Sequence, residues 1–169
     1  MKTEIISTNK MRELIKPLLE LDCCRTQIGY RRSLGMGFGK QIPNNAPKTR
    51  DGYYGEWELM TYESAWRVIK DGKIICASHD ATESLTPDNP PDIDEAFQKI
   101  PFEKLLSIRQ KNKWDVEIKF DSDIVIELFA ANSSGENGDF FHIFCPWGKC
   151  ISIDSHSQGN WVYEDDRVS

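Results

Sequence analysis

Ala65-Trp66-Arg67-Val68-Ile69-Lys70-Asp71-Gly72-Lys73-Ile74-Ile75-Cys76-Ala77-Ser78 reads as a β-hairpin. Asp71-Gly72 signals a type I′ turn, because both central positions need positive φ and Asp followed by Gly tolerates it. A two-residue turn fixes the register. Ile69 then faces Ile74, Val68 faces Ile75, Arg67 faces Cys76 and Trp66 faces Ala77. Trp66, Val68, Ile75 and Ala77 share one face; Arg67, Ile69, Ile74, Cys76 and Ser78 share the other. Both faces are largely apolar, so the hairpin is expected at the centre of a sheet covered on both sides.

Working outward toward the N-terminus, 53–62 reads as a strand, with Trp57, Leu59 and Thr61 alternating with Glu58, Met60 and Tyr62. The stretch 43–52 reads as an exposed loop. Leu34-Gly35-Met36-Gly37-Phe38-Gly39 matches neither the dinucleotide fingerprint nor the P-loop. It predicts an extended strand whose bare backbone lets a large side chain, such as Trp66, lie across it. A further strand is expected over 26–33. Ser7 or Thr8 can cap a helix to about residue 21, with Met11, Leu14, Ile15, Leu18 and Leu19 as its apolar stripe. Pro17 predicts a kink or break near Lys16.

On the C-terminal side, 79–92 reads as loop. Asp92 or Asp94 is expected to cap a helix from about Glu95, and Pro101 to open a second short helix over 102–108. A second hairpin spans 114–129. Its apolar faces coincide if Asp121-Ser122-Asp123 is a three-residue loop, pairing Phe120 with Ile124 and Ile118 with Ile126. Asp115, Glu117, Lys119 and Glu127 then face water. Strands follow over 140–145, closed by Pro146-Trp147-Gly148, and over 150–154. Trp161-Val162-Tyr163 reads as an edge strand before the acidic Glu164-Asp165-Asp166. The expected class is α+β in a single domain, 1–169: a curved or barrel-like antiparallel sheet of about six to eight strands, with an N-terminal helix and a short helical insert.

Of 169 residues, 39% are hydrophobic and 28% charged, which excludes a disordered chain. The net charge of −6 argues against a nucleic-acid phosphate binder and suits a basic protein partner. The start lacks the apolar region of a signal peptide, and no run reaches membrane-spanning length. A cytoplasmic protein with reduced thiols is therefore expected from its five cysteines.

His142, Cys145, Cys150 and His156 are the residue types of a zinc site. Their spacing is not that of a standard finger, and His142 and Cys145, three apart on one strand, point to opposite faces. No metal or cofactor is called for. No local signature supports a cysteine nucleophile, so no catalytic residue is assigned. Arg67 is the most informative charge. Set among apolar neighbours it needs partners, with Ser78 in reach and Asp80 or Glu63 to complete a pair. A ligand-binding alternative places Arg31, Arg32, Arg67 and Ser78 near the glycine-rich strand to hold a small anion or nucleotide. The other resource is exposed acid. Asp80, Glu83 and Asp88 in one connection, and Glu164, Asp165 and Asp166 in the tail, form with Trp147 and Trp161 the patch expected to meet a protein partner.

Three runs carry a family resemblance: Gly55-Glu56-Trp57-Glu58-Leu59, Trp66-Arg67-Val68-Ile69 and Ile74-Ile75-Cys76-Ala77-Ser78-His79-Asp80. With Arg31 and Phe38-Gly39 upstream, the chain resembles a family of small bacterial domains that have a W-R dipeptide, a D-G-like turn and an S-x-D end in that order. Such domains are similar to the immunity proteins that accompany bacterial toxins. The resemblance implies an acidic, compact, non-catalytic protein that neutralises a basic toxin or effector, or a phage-borne inhibitor of a bacterial defence system acting by the same physics. It implies no catalytic residues.

Overall fold

The structure is a computed structural model and describes residues 3–29, 32–43, 52–62, 64–80, 93–130, 139–154 and 157–166. In chain order the elements are β1 (Glu4–Ile6), α1 (Thr8–Ile15), β2 (Cys23–Ile28), β3 (Leu34–Pro43), β4 (Tyr53–Thr61), β5 (Ser64–Lys70), β6 (Lys73–Ala77), α2 (Ile93–Gln98), β7 (Leu105–Gln110), β8 (Val116–Phe120), β9 (Ile124–Ala130), β10 (Asp139–Phe144), β11 (Lys149–Asp154) and β12 (Trp161–Asp165). The strands form two antiparallel sheets. One has the order β1-β12-β11-β10-β4-β3-β2, the other β6-β5-β9-β8-β7. The α+β class holds. The single barrel-like sheet is replaced by two sheets, and no closed barrel forms among the described residues. Backbone bonds do stitch two edges together: Cys23 N–H donates to Glu103 O at 2.8 Å and Leu105 N–H to Leu21 O at 3.1 Å, beside an isolated bridge between Asp22 and Lys104.

The inner faces of the two sheets share one apolar core. A run of rings crosses it. Trp66 meets Phe97 at 5.5 Å between centroids, Phe97 meets Phe102 at 5.3 Å, Phe102 meets Phe120 at 5.0 Å, and Phe120 stacks with Phe38 of the facing sheet at 6.2 Å. Each fully buried ring contributes several kcal/mol of apolar burial, roughly 3–5 kcal/mol by the cost of its truncation. The core ties α2, both hairpins and the glycine-rich strand into one unit.

The tip of the first hairpin is as expected: Asp71 and Gly72 have φ of 51° and 76°. Ile69 faces Ile74, but the ladder then slips, and Val68 pairs with Cys76 and Arg67 with Ala77. Ile75 is the extra residue of a β-bulge, which local periodicity does not reveal. Cys76 and Ser78 therefore turn inward beside Trp66 and Val68, while Ile74 and Ile75 are exposed. The hairpin is not central. β5 is internal and β6 is the edge of its sheet. Trp66 and Arg67 do point to opposite sides: Trp66 is buried in the core, and Arg67 faces out. The second hairpin has the predicted register, Ile118 opposite Ile126, with Asp123 at φ 59° closing its loop.

Helix α1 starts at Ser7, whose Oγ accepts the Lys10 N–H at 3.0 Å, a cap worth about 1 kcal/mol. It gives way at Lys16 to a 3-10 turn containing Pro17, as the proline predicted. The helix expected over 102–108 is instead β7. A bulge between Leu105 and Ser107 turns Leu105 and Ile108 to the same side, which imitates helical spacing. Asp94 lies inside the first turn of α2. Its carboxylate is buried, accepting Ile28 N–H at 2.6 Å and Gln98 Nε2–H at 2.9 Å, and so fastens the helix to β2. Trp161-Val162-Tyr163 is a strand, but β1 pairs with it and takes the edge.

Candidate functional site

The β10–β11 connection carries an exposed aromatic side chain. Gly148 N–H donates to Cys145 O at 3.3 Å and Cys145 N–H to Lys149 O at 2.8 Å, making a tight loop of Pro146, Trp147 and Gly148. Proline suits the second position of such a turn, and Gly148 supplies the positive φ, 76°, that lets the strand resume. Trp147 is thereby thrown outward and is about half exposed. It is also held. Its ring stands edge-on to buried Trp57 at 5.1 Å between centroids, and its Nε1–H donates to Tyr163 Oη at 2.8 Å. An aromatic that is exposed yet fixed binds with little loss of side-chain freedom.

Acid lies beside it. Lys149 and Asp165 are register partners on β11 and β12, and the Lys149 ammonium donates to the Asp165 carboxylate. That hydrogen bond raises the lysine pKa and lowers the aspartate's. The Lys149 ammonium also lies 5.7 Å from the centre of the Tyr163 ring. Glu164 accepts from Thr3 Oγ1 at 3.1 Å, and Asp166 N–H donates to Gly148 O at 2.9 Å, anchoring the acidic strand end on the tryptophan turn.

The expected partner patch is partly assembled here. Trp147 and Asp165 come together on the Tyr163 face, with the Asp166 backbone bonded to Gly148, whereas Glu164 pairs with Cys150 and faces the other side of the sheet. Trp161 does not join them, because β1 and β12 turn it into the core against Phe141. Asp80 belongs to the other sheet, where its carboxylate accepts Ala77 N–H at 3.0 Å after the end of β6. Glu83 and Asp88 lie outside the described residues. Tyr163 and Lys149, which complete the patch, escaped sequence reading. The length of the Pro146-Trp147-Gly148 loop could have placed Lys149 beside Cys145, but the β11–β12 pairing depends on a connection with no such signal.

The anion-binding quartet is not assembled. Arg67 donates through Nε and Nη2 to Glu127 Oε2, at 3.2 and 2.7 Å, and lies over the Phe129 ring at 5.0 Å. Its partner is thus neither Asp80 nor Ser78; Glu63 lies outside the described residues. The bulge sends Ser78 to the opposite face, where its Oγ accepts the Trp66 N–H at 3.1 Å. Arg32 is on that inner side too, its carbonyl accepting the Trp66 indole N–H at 2.8 Å. Arg31 lies outside the described residues. No family model, curated protein or solved structure matches the chain.

The glycine-rich strand opens space for a different pair. Gly37 and Glu58 are register partners, as are Gly37 and Arg25. Arg25 Nη1–H donates to Glu58 Oε2 at 2.8 Å, Nη2–H donates to Gln27 Oε1 at 2.9 Å, and Glu58 Oε1 accepts Gly55 N–H at 2.7 Å. A Cβ on Gly37 would lie 2.6 Å from Arg25 Cγ, so these two charged side chains, and not Trp66, cross the bare backbone.

Of the zinc-type residues, His142 and Cys150 are neighbours, Nδ1 to Sγ 3.5 Å, with Tyr62 and Phe144 rings beside the imidazole. Cys145 is buried, and burial first, then Asp166, pushes its thiol up to about 12. His156 lies outside the described residues. No group of three or more metal-ligating side chains occurs among the described residues. Cys150 is buried, which withholds it from substrates. Among the described residues no helix is long and apolar enough to cross a membrane.

Proposed function

We propose that this chain is a non-enzymatic, cytoplasmic protein-binding inhibitor of the immunity type, which neutralises a basic toxin or effector by covering its working surface. The observation that carries this reading is Trp147: half-exposed, fixed by Trp57 and Tyr163, with Asp165 on the Tyr163 face and the Asp166 backbone bonded to its turn. Such an aromatic anchor within a charged rim is the usual centre of binding energy in a protein interface. The acidic rim suits a cationic partner and would speed encounter at low salt. The W-R, D-G and S-x-D resemblance to immunity-type domains supports the same reading. A phage-borne inhibitor of a host defence protein would use this surface in the same way.

The test is co-purification of the full chain with the product of the neighbouring gene at low salt. A stable complex, weakened as salt rises, is expected. Trp147→Ala should weaken it by roughly thirty-fold or more, the loss expected at a hot spot. Absence of a complex at low salt, or unchanged affinity of the Trp147→Ala variant, would overturn the reading.

A further inference from the structure

We propose that the outward face of the five-stranded sheet binds a small phosphate-bearing ligand on Arg109, Lys111 and Lys119, with Arg67 as a second anchor. Register places Arg109, Glu117, Glu127 and Arg67 in one row across β7, β8, β9 and β5. Two glutamates directly opposite one another repel. Four cations gather over them. Arg109 Nη2 and Lys119 Nζ lie 3.1 and 3.7 Å from Glu117 Oε1, Lys111 Nζ lies 3.6 Å from Glu117 Oε2, and Arg67 is on Glu127.

The depths of these groups differ. Glu117 keeps 9% of its side chain exposed, while Arg109, Lys111 and Lys119 keep 54, 40 and 51%. Solvent therefore meets the cationic ends, and the carboxylates form the floor. Four cations meet three carboxylates on this face, Glu117, Glu127 and Asp115, whose Oδ2 accepts from Asn112 Nδ2–H at 2.8 Å, so the face is locally positive within a chain of net charge −6. Glu117 already shows the chemistry, since it is an oxyanion held by three convergent cations. Each ammonium has three donors and the guanidinium five, so donors remain for a second oxyanion arriving from the solvent side. The guanidinium fork matches phosphate geometry, and the lysines act as point charges beside it. Arg67 stands two strands from Lys119, about 10 Å across the sheet, within reach of a ligand carrying more than one phosphate.

Calorimetric titration of the full chain with inorganic pyrophosphate, at low ionic strength, tests this. Binding is expected. The Lys111→Gln/Lys119→Gln double variant should weaken it about tenfold or more. Glu117→Gln removes the competing carboxylate and should tighten it, a gain that a purely structural role for this cluster does not produce. Lys70→Gln/Lys73→Gln, at the hairpin tip, should leave it within about twofold. ADP binding more tightly than pyrophosphate through the same residues would name a nucleotide as the source of the phosphate, and equal binding an inorganic one. No binding by the wild type, equal weakening by the hairpin-tip variant, or a folded Glu117→Gln protein that binds no better would overturn the proposal. Neither result depends on the protein partner proposed above.

Discussion

Both sheets carry arginine–glutamate pairing on their outward faces, and Arg25–Glu58 and Arg67–Glu127 are opposites in setting. Arg25–Glu58, on the seven-stranded sheet, has side chains 5 and 8% exposed. Arg67–Glu127, on the five-stranded sheet, has side chains 40 and 14% exposed. The contact distances are nearly the same, 2.8 and 2.7 Å. What differs is the cover. Over Arg25 lie Tyr54, 5.7 Å from ring centre to guanidinium carbon, and the Gly55 backbone, brought close by a bulge between Phe38 and Gln41. Glycines at 37 and 55 leave room for this, because a Cβ on Gly55 would lie 2.4 Å from Phe38 N. Arg67 has an aromatic ring below it and water above. Ion-pair geometry alone therefore does not tell a structural charge from an available one; depth does.

The largest effect should come from breaking the covered pair. Glu58→Gln removes the charge of the carboxylate that the buried Arg25 guanidinium meets at 2.8 Å, and urea unfolding should show a loss of about 3–5 kcal/mol. A loss under 1 kcal/mol would mean that water reaches this pair as freely as the other, and the contrast between the faces would collapse.

Alkaline pH gives a second, smaller handle on the covered side. Burial first, then neighbouring Cys24, pushes the Cys23 thiol up to about 12 from an ordinary value of 9.0. Cys145 is pushed up to about 12 in the same way. The folded state thus holds these protons more tightly than the unfolded state. Their contribution to stability is complete below pH 9 and is lost as pH climbs toward 12, by roughly 1.4 kcal/mol per pH unit for each thiol. Urea midpoints measured between pH 8 and 11 should fall, and Cys23→Ala should flatten the slope. Glu127→Gln should not.

What could be read from the sequence divides along similar lines. Asp71-Gly72, Asp121-Ser122-Asp123, Ser7 and Pro17 act through the chain next to them, and each does what its local chemistry dictates. Bulges defeated local periodicity three times: at Ile75, which reversed the facing of Cys76 and Ser78; at Leu105–Ser107, which mimicked a helix; and at Phe38–Gln41, which folded the glycine strand over Arg25. Partners distant in sequence were also invisible. Glu127 lies sixty positions from Arg67, and Glu58 thirty-three from Arg25. Trp147 was named because tryptophan is favoured at binding hot spots, and its turn does expose it. Trp161 was misplaced because nothing near it reveals that β1 covers its strand.

The smallest expected effect falls on the open face and is the most discriminating. Glu127→Gln removes the partner of Arg67, yet the guanidinium keeps water above it and Phe129 below. Because the guanidinium end is 40% exposed, solvent screens the pair and holds its worth to about 1 kcal/mol or less, so the urea midpoint should barely move, and added salt should reduce what difference there is. The positive character of the face should increase at the same time, because one of its two floor carboxylates is gone. Pyrophosphate affinity should therefore rise while stability stays level, which separates charge available for binding from charge spent on the fold. A large stability loss in Glu127→Gln would place Arg67 with Arg25 as an internal strut and leave Arg109, Lys111 and Lys119 to hold an anion alone.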